Sequence, residues 1–158
     1  MATAPPHVRR LAAVGPEPWT AGSQYDYADA FEALLSSPDG RSAEQWARCA
    51  LEQAPRAVRL VIVVAQRGLL RLQLKGRADP RYVLGWQVVD SEPDVIKLAA
   101  HGPLLRAVIV GRRSSATAVQ IKTFVFFERR LGKLVWTVVA PLHRGVARLL
   151  LRRAATSN

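Results

Sequence analysis

The sequence predicts an α+β domain in which a curved antiparallel sheet wraps around one long C-terminal helix, with two short helices after the first strand. Three observations carry this. Four strand-like segments follow one another between Tyr82 and Phe127 across short turns, the mark of an antiparallel meander. The segment from Leu131 to Arg153 repeats apolar residues at helical spacing. A sheet with one apolar face must bury it, and only that last segment is long and apolar enough to serve. The chain has 158 residues, 49% apolar and 22% charged, which suits one domain and excludes wholesale disorder.

Residues 1–22 hold Pro5, Pro6, Pro16 and Pro18 and show neither a strand nor a helix period, so they read as a disordered arm preceding a domain over 23–155. Tyr25, Tyr27, Asp29, Phe31 and Ala33 then share one face of a strand. Ser36 to Gly40 is a turn. Ser42 and Gln45 form a capping box, in which each side chain satisfies a backbone amide that the first helical turn leaves free. Trp46, Cys49, Ala50 and Gln53 mark one side of that helix. Pro55 separates it from a second, Arg56 to Leu70, which is apolar around much of its circumference and should be largely buried.

After a loop at Gly76 to Pro80, strands are predicted over Tyr82–Val89, Val95–Ala100, Leu104–Val110 and Thr117–Phe127, making five in all. The terminal helix would be roughly 35 Å long at 1.5 Å per residue. Leu131, Val135, Val138, Leu142, Val146 and Leu149 fall in one stripe, which should face the sheet, with Lys133, Arg144, Arg148 and Arg152 opposite. Pro141 removes a hydrogen bond at a cost of about 3 kcal/mol, so a kink near Ala140 or two abutting helices are expected.

This order resembles the helix-grip fold of the START-like (SRPBCC) superfamily, which includes polyketide cyclases and lipid-transfer domains. The residues that carry the resemblance span roughly 24–154. They are Tyr27-Ala28-Asp29-Ala30-Phe31, Ser42-Ala43-Glu44-Gln45-Trp46-Ala47-Arg48, Val83-Leu84-Gly85-Trp86, Thr123-Phe124-Val125, Leu134-Val135-Trp136 and Ala140-Pro141-Leu142-His143-Arg144. They look like an uncharacterised actinobacterial branch. The superfamily usually has seven strands, two more than the count above. The resemblance implies a cavity between the sheet's concave face and the terminal helix. By the strand and helix patterns its lining is Trp86, Leu98, Ile109, Ile121, Thr123, Val138 and Leu142. The expected occupant is a hydrophobic small molecule or lipid, bound without catalysis; a cyclase or dehydratase is the alternative among such relatives.

No residue pattern demands a cofactor or a metal. The three histidines and the lone Cys49 have no zinc spacing, and Asp90, Glu92 and Asp94 flank Pro93 in what reads as a hairpin turn. His143 stands on the terminal helix with no acid–base partner identifiable in the sequence. One cysteine precludes an intrachain disulfide and fits a reducing, cytoplasmic setting. The longest apolar run, Leu60 to Ala65, falls far short of the roughly 20 residues of a membrane span.

Charge is uneven. Residues 1–54 hold four arginines and seven acids; residues 55–158 hold nineteen basic residues and five acids, and the whole chain is +11. Arg144, Arg148 and Arg152 therefore form a candidate contact for anionic lipid head groups or phosphates. Lipid is favoured over nucleic acid, since no recognition motif or aromatic interleaving accompanies the basic residues.

Overall fold

The computed structural model describes residues 6–15, 17–18, 24–76 and 79–157. Within them, seven strands pair antiparallel into one curved sheet: β1 (His7–Arg10), β2 (Tyr27–Leu34), β3 (Tyr82–Val83), β4 (Trp86–Glu92), β5 (Val95–His101), β6 (Leu105–Ser115) and β7 (Ala118–Phe127). Their order is β1-β2-β7-β6-β5-β4-β3. Two helices, α1 (Ala43–Glu52) and α2 (Arg56–Val63), intervene between β2 and β3. A π-helical turn (Val64–Leu69) continues α2, and α3 (Arg130–Thr156) closes the chain. The architecture is α+β and helix-grip-like.

Two differences from the sequence reading account for the strand count. Part of the arm expected to be disordered is β1, which pairs with β2 from His7↔Leu34 to Arg10↔Phe31. Its burial follows no alternation, so it carries no period; backbone pairing and an ion pair from Arg9 to Glu32 at 2.6 Å hold it. Residues 1–5, 16 and 19–22 of that arm lie outside the described residues. The segment Tyr82–Val89 is split by Leu84 and Gly85, whose φ values of 47° and 89° turn the chain between β3 and β4.

The capping box forms as expected: Ser42 Oγ accepts from Gln45 N at 3.2 Å, and Ser42 N donates to Gln45 Oε1 at 2.8 Å. Helix α3 runs unbroken through Pro141 rather than as two helices. Its length and hydropathy would also suit a membrane span, but one side is packed against the sheet. That side differs from the predicted one. Gly132, Trp136, Val139, Ala140, Ala147, Leu150, Leu151 and Ala154 are buried, while Leu131, Val138, Leu142 and Leu149 are exposed. The inward stripe is rich in glycine and alanine because the helix lies close to its support. A Cβ on Gly132 would collide with the Leu104 carbonyl oxygen.

The main core fills the concave side between sheet and helices, around Ile62, Trp86, Leu98, Leu105, Val125, Trp136 and Leu150. A second cluster joins Phe31, Trp46, Val119, Ala147 and Leu151 where α1 and α3 meet β2 and β7. The convex side is not bare. Val110, Phe124 and Phe126 pack with Val14 of the N-terminal segment, and Glu17 pairs there with buried Lys122 at 2.7 Å and with Arg112 at 2.7 Å. Burial pushes the Glu17 carboxyl up, but hydrogen bonds from Arg112 and Lys122 outweigh it and hold the group below its ordinary value.

Candidate functional site

Strand register builds the floor of the site. Side chains that face one another on adjacent antiparallel strands point to the same side of the sheet. Asp29↔Thr123, Thr123↔Ile109, Ile109↔Leu98 and Leu98↔Val88 therefore form one row across five strands. Beside it runs Tyr27, Val125, Ala107 and Ala100. The roof comes from α3, through Trp136, Val139, Leu142, His143, Val146 and Leu150. One wall comes from α2 and its π-helical turn, through Val61, Ile62, Ala65 and Gln66.

A cavity of ≈ 90 Å³ lies between them, lined almost wholly by apolar atoms. A second of ≈ 40 Å³ continues it under α1, past Trp46 and Ile96. Leu51, Ile109, Ile121, Ala147 and Leu150 line both, so the two voids share a wall. An apolar cavity of about 150 Å³ stays dry and takes benzene. The larger void here is smaller than that, so a lipid-sized occupant requires α2 and α3 to separate.

Of the residues expected to line the cavity, Trp86, Ile109, Ile121, Thr123 and Leu142 do so, and Leu98 lines the second void. Val138 does not. It is 76% exposed, on the outer side of α3, because the inward side of the helix is the one carrying Gly132, Trp136, Val139, Ala140, Ala147, Leu150, Leu151 and Ala154. Arg144 is half-buried beside the Tyr27 hydroxyl, and the Arg148 guanidinium sits 5.5 Å from the centre of the Phe31 ring. Arg152 is exposed. The three thus run along one flank of α3, two of them already in contact with β2. No group of three or more His, Cys, Asp or Glu side chains that could hold a metal occurs among the described residues.

Three polar features interrupt the apolar lining. Trp86 Nε1 donates to Gln66 Oε1 at 3.2 Å, a contact set by the π-helical turn that carries Gln66. Trp136 Nε1 is buried without a partner. The third was not identified from the sequence. Asp29, 2% exposed, accepts from the Tyr27 hydroxyl at 2.6 Å and lies 3.3 Å from His143 Nε2. Trp136 packs against both partners, with ring centres 5.1 Å from Tyr27 and 5.3 Å from His143. The signal was available: Asp29 shares its strand face with Tyr27, Phe31 and Ala33, so a carboxylate occupies a core position.

Burial pushes the Asp29 carboxyl up. The hydrogen bond and charge of His143, the Tyr27 hydroxyl and the charge of Arg10 together outweigh it and hold the group below its ordinary value. The same burial, with the adjacent carboxylate, drives the Tyr27 phenol up to about 12, opposed in part by Arg144. An ionised Asp29 takes the Nε2 proton of His143 as its hydrogen bond, so in the neutral imidazole Nδ1 carries the lone pair. His143 itself lines the cavity. The arrangement holds an oriented imidazole at the wall of an otherwise apolar space.

Fold and site together define a class: an α+β, helix-grip-like domain with a narrow apolar trough under its C-terminal helix and a buried carboxylate–imidazole pair in the wall. Comparison with known proteins adds little. No family model matches the chain, and a search of curated proteins finds no match. Among solved structures it is similar to a protein of unknown function, PA94, from Pseudomonas aeruginosa. The identity is 17% over 90% of this chain and 79% of that one, with a TM-score of 0.21, too low to carry an argument.

Proposed function

We propose that the protein is a START-like carrier that binds a hydrophobic small molecule or lipid in the trough between sheet and terminal helix, without catalysis, in a cytoplasmic setting. The observation that supports this is the cavity itself: ≈ 90 Å³ of apolar space with His143, Thr123 and Gln66 as its polar lining residues. Ligand sites are commonly of this kind, mostly apolar with a few placed polar groups that set orientation. His143 is the anchor in this reading, accepting a hydrogen bond from the ligand's polar end at Nδ1. Native mass spectrometry of the purified protein and titration with Nile red, a neutral apolar dye, test it. A co-purified mass, or saturable dye binding displaced by an aliphatic competitor, is expected. The absence of both would overturn the carrier.

A second reading, an acid–base enzyme of the cyclase or dehydratase kind, is favoured by one observation: Asp29 orients His143 as a carboxylate orients a general base. Returning the co-purified molecule to fresh protein separates the two. A carrier leaves its mass unchanged. An enzyme converts it, and His143→Gln stops the conversion.

A further inference from the structure

The orientation of α3 leaves several large aliphatic side chains outside. Val138 and Leu134 are 76% and 65% exposed; on α2, which lines the same cavity, Leu60 is 64% exposed, and Val64 at the start of the π-helical turn is also exposed. Two further residues tie these rows to the cavity: Val61 of α2 and Leu142 of α3 are exposed and also line it. The trough therefore reaches the surface between two apolar helix faces. Isolated exposed leucines need no explanation, but a contiguous apolar rim around a cavity mouth marks an interaction surface.

Charge decides what the surface fits. Residues 55–76 and 129–157 contain no aspartate or glutamate, while Arg56, Arg59 and Arg67 share α2 and its π-helical turn with the exposed aliphatics and Arg130 lies one helical turn before Leu134. A second copy of the chain would bring two purely cationic faces together. A bilayer with anionic head groups answers both parts: acyl chains receive the aliphatic side chains, and the head groups receive the arginines. We propose that the α2–α3 face docks on an anionic membrane surface and that the cavity opens into the bilayer there. The purpose of the opening rests on the carrier reading; the docking does not.

Co-sedimentation of the full chain with vesicles of phosphatidylcholine, with and without phosphatidylglycerol, tests this. Binding is expected only to the anionic vesicles and should fall as salt rises. Leu134→Asp with Val138→Asp should weaken it by at least about tenfold, since each removes an inserted side chain. Neither residue lines the cavity, so Nile red binding should survive and report an intact fold. Arg130→Glu, one turn before Leu134, should weaken binding to anionic vesicles and leave the cavity untouched. Wild-type protein that ignores both vesicle types would overturn the proposal. So would equal binding by the Asp variant, or a concentration-dependent dimer abolished by that variant in a protein that binds no vesicles. Loss of dye binding with vesicle binding intact would instead remove the carrier and leave the docking standing.

Discussion

Replacing Asp29 by asparagine keeps the shape of the side chain and removes its charge. In the folded protein the carboxylate accepts from Tyr27 at 2.6 Å and faces His143 Nε2 at 3.3 Å, with no solvent exposure of the side chain. A hydrogen bond to a charged group contributes about 1.5–3 kcal/mol, roughly twice a neutral one. Asparagine Oδ1 can still accept from Tyr27, so about half of that contribution is retained and the longer His143 contact is weakened. Relief from burying a charge offsets part of the loss. The expected net destabilisation at neutral pH is about 1–2 kcal/mol. With a urea slope of about 1–3 kcal/mol per molar, the midpoint should fall by about 0.3–2 M. The pH dependence gives the sharper test. Asp29 titrates below its ordinary 3.8 in the folded chain, so its stabilisation is complete above that value and is lost as pH falls through the lower, folded-state value. Urea melts across the acid range should show the wild-type advantage shrinking to nothing there. A variant as stable as wild type at neutral pH, or a deficit that persists in strong acid, would refute the claim that His143 and Tyr27 hold this carboxylate ionised.

Gly132→Ala should lower the melting temperature by several degrees, because its methyl group meets the Leu104 carbonyl and overpacking of this kind costs about 1–3 kcal/mol; calorimetry checks it. Ala107→Leu, at a cavity-lining position on β6, should reduce Nile red affinity at least about tenfold while the far-ultraviolet dichroism stays that of wild type. Tyr27→Phe should remove the alkaline loss of stability between pH 10 and about 12: a phenol raised from 10.0 to about 12 by folding stabilises fully below the lower value and ceases to as pH passes the upper one.

The strong local signals carried much of the fold. The Ser42–Gln45 box formed as expected, and the β4–β7 meander followed from apolar alternation between short turns. What was not legible has separate physical causes. Strand β1 lies at an edge with its residues mostly exposed, so nothing in its own composition records the backbone pairing that orders it. Leu84 takes a left-handed conformation that a leucine does not advertise. Asp29 was placed on the right face, but hydrophobic periodicity weighs only apolar side chains and passes over a carboxylate whose histidine partner lies 114 residues away.

The orientation of α3 shows why hydropathy alone misplaced one face of the site. A helix buries what fits, and the distance to its support decides what fits. Where α3 meets the end of the β5–β6 turn there is room only for Gly132, and where it meets Phe31 and Trp46 there is room for Ala147 and Ala154. Between those two close approaches the inward positions are Trp136, Val139 and His143, and it is under these that the larger void opens. The small residues that brought the helix down thus left Leu134, Val138 and Leu142 facing outward, Leu142 beside the same void. Cavity and apolar rim have one geometric origin. A substitution that rolls α3 back toward its larger stripe must therefore close the first as it buries the second.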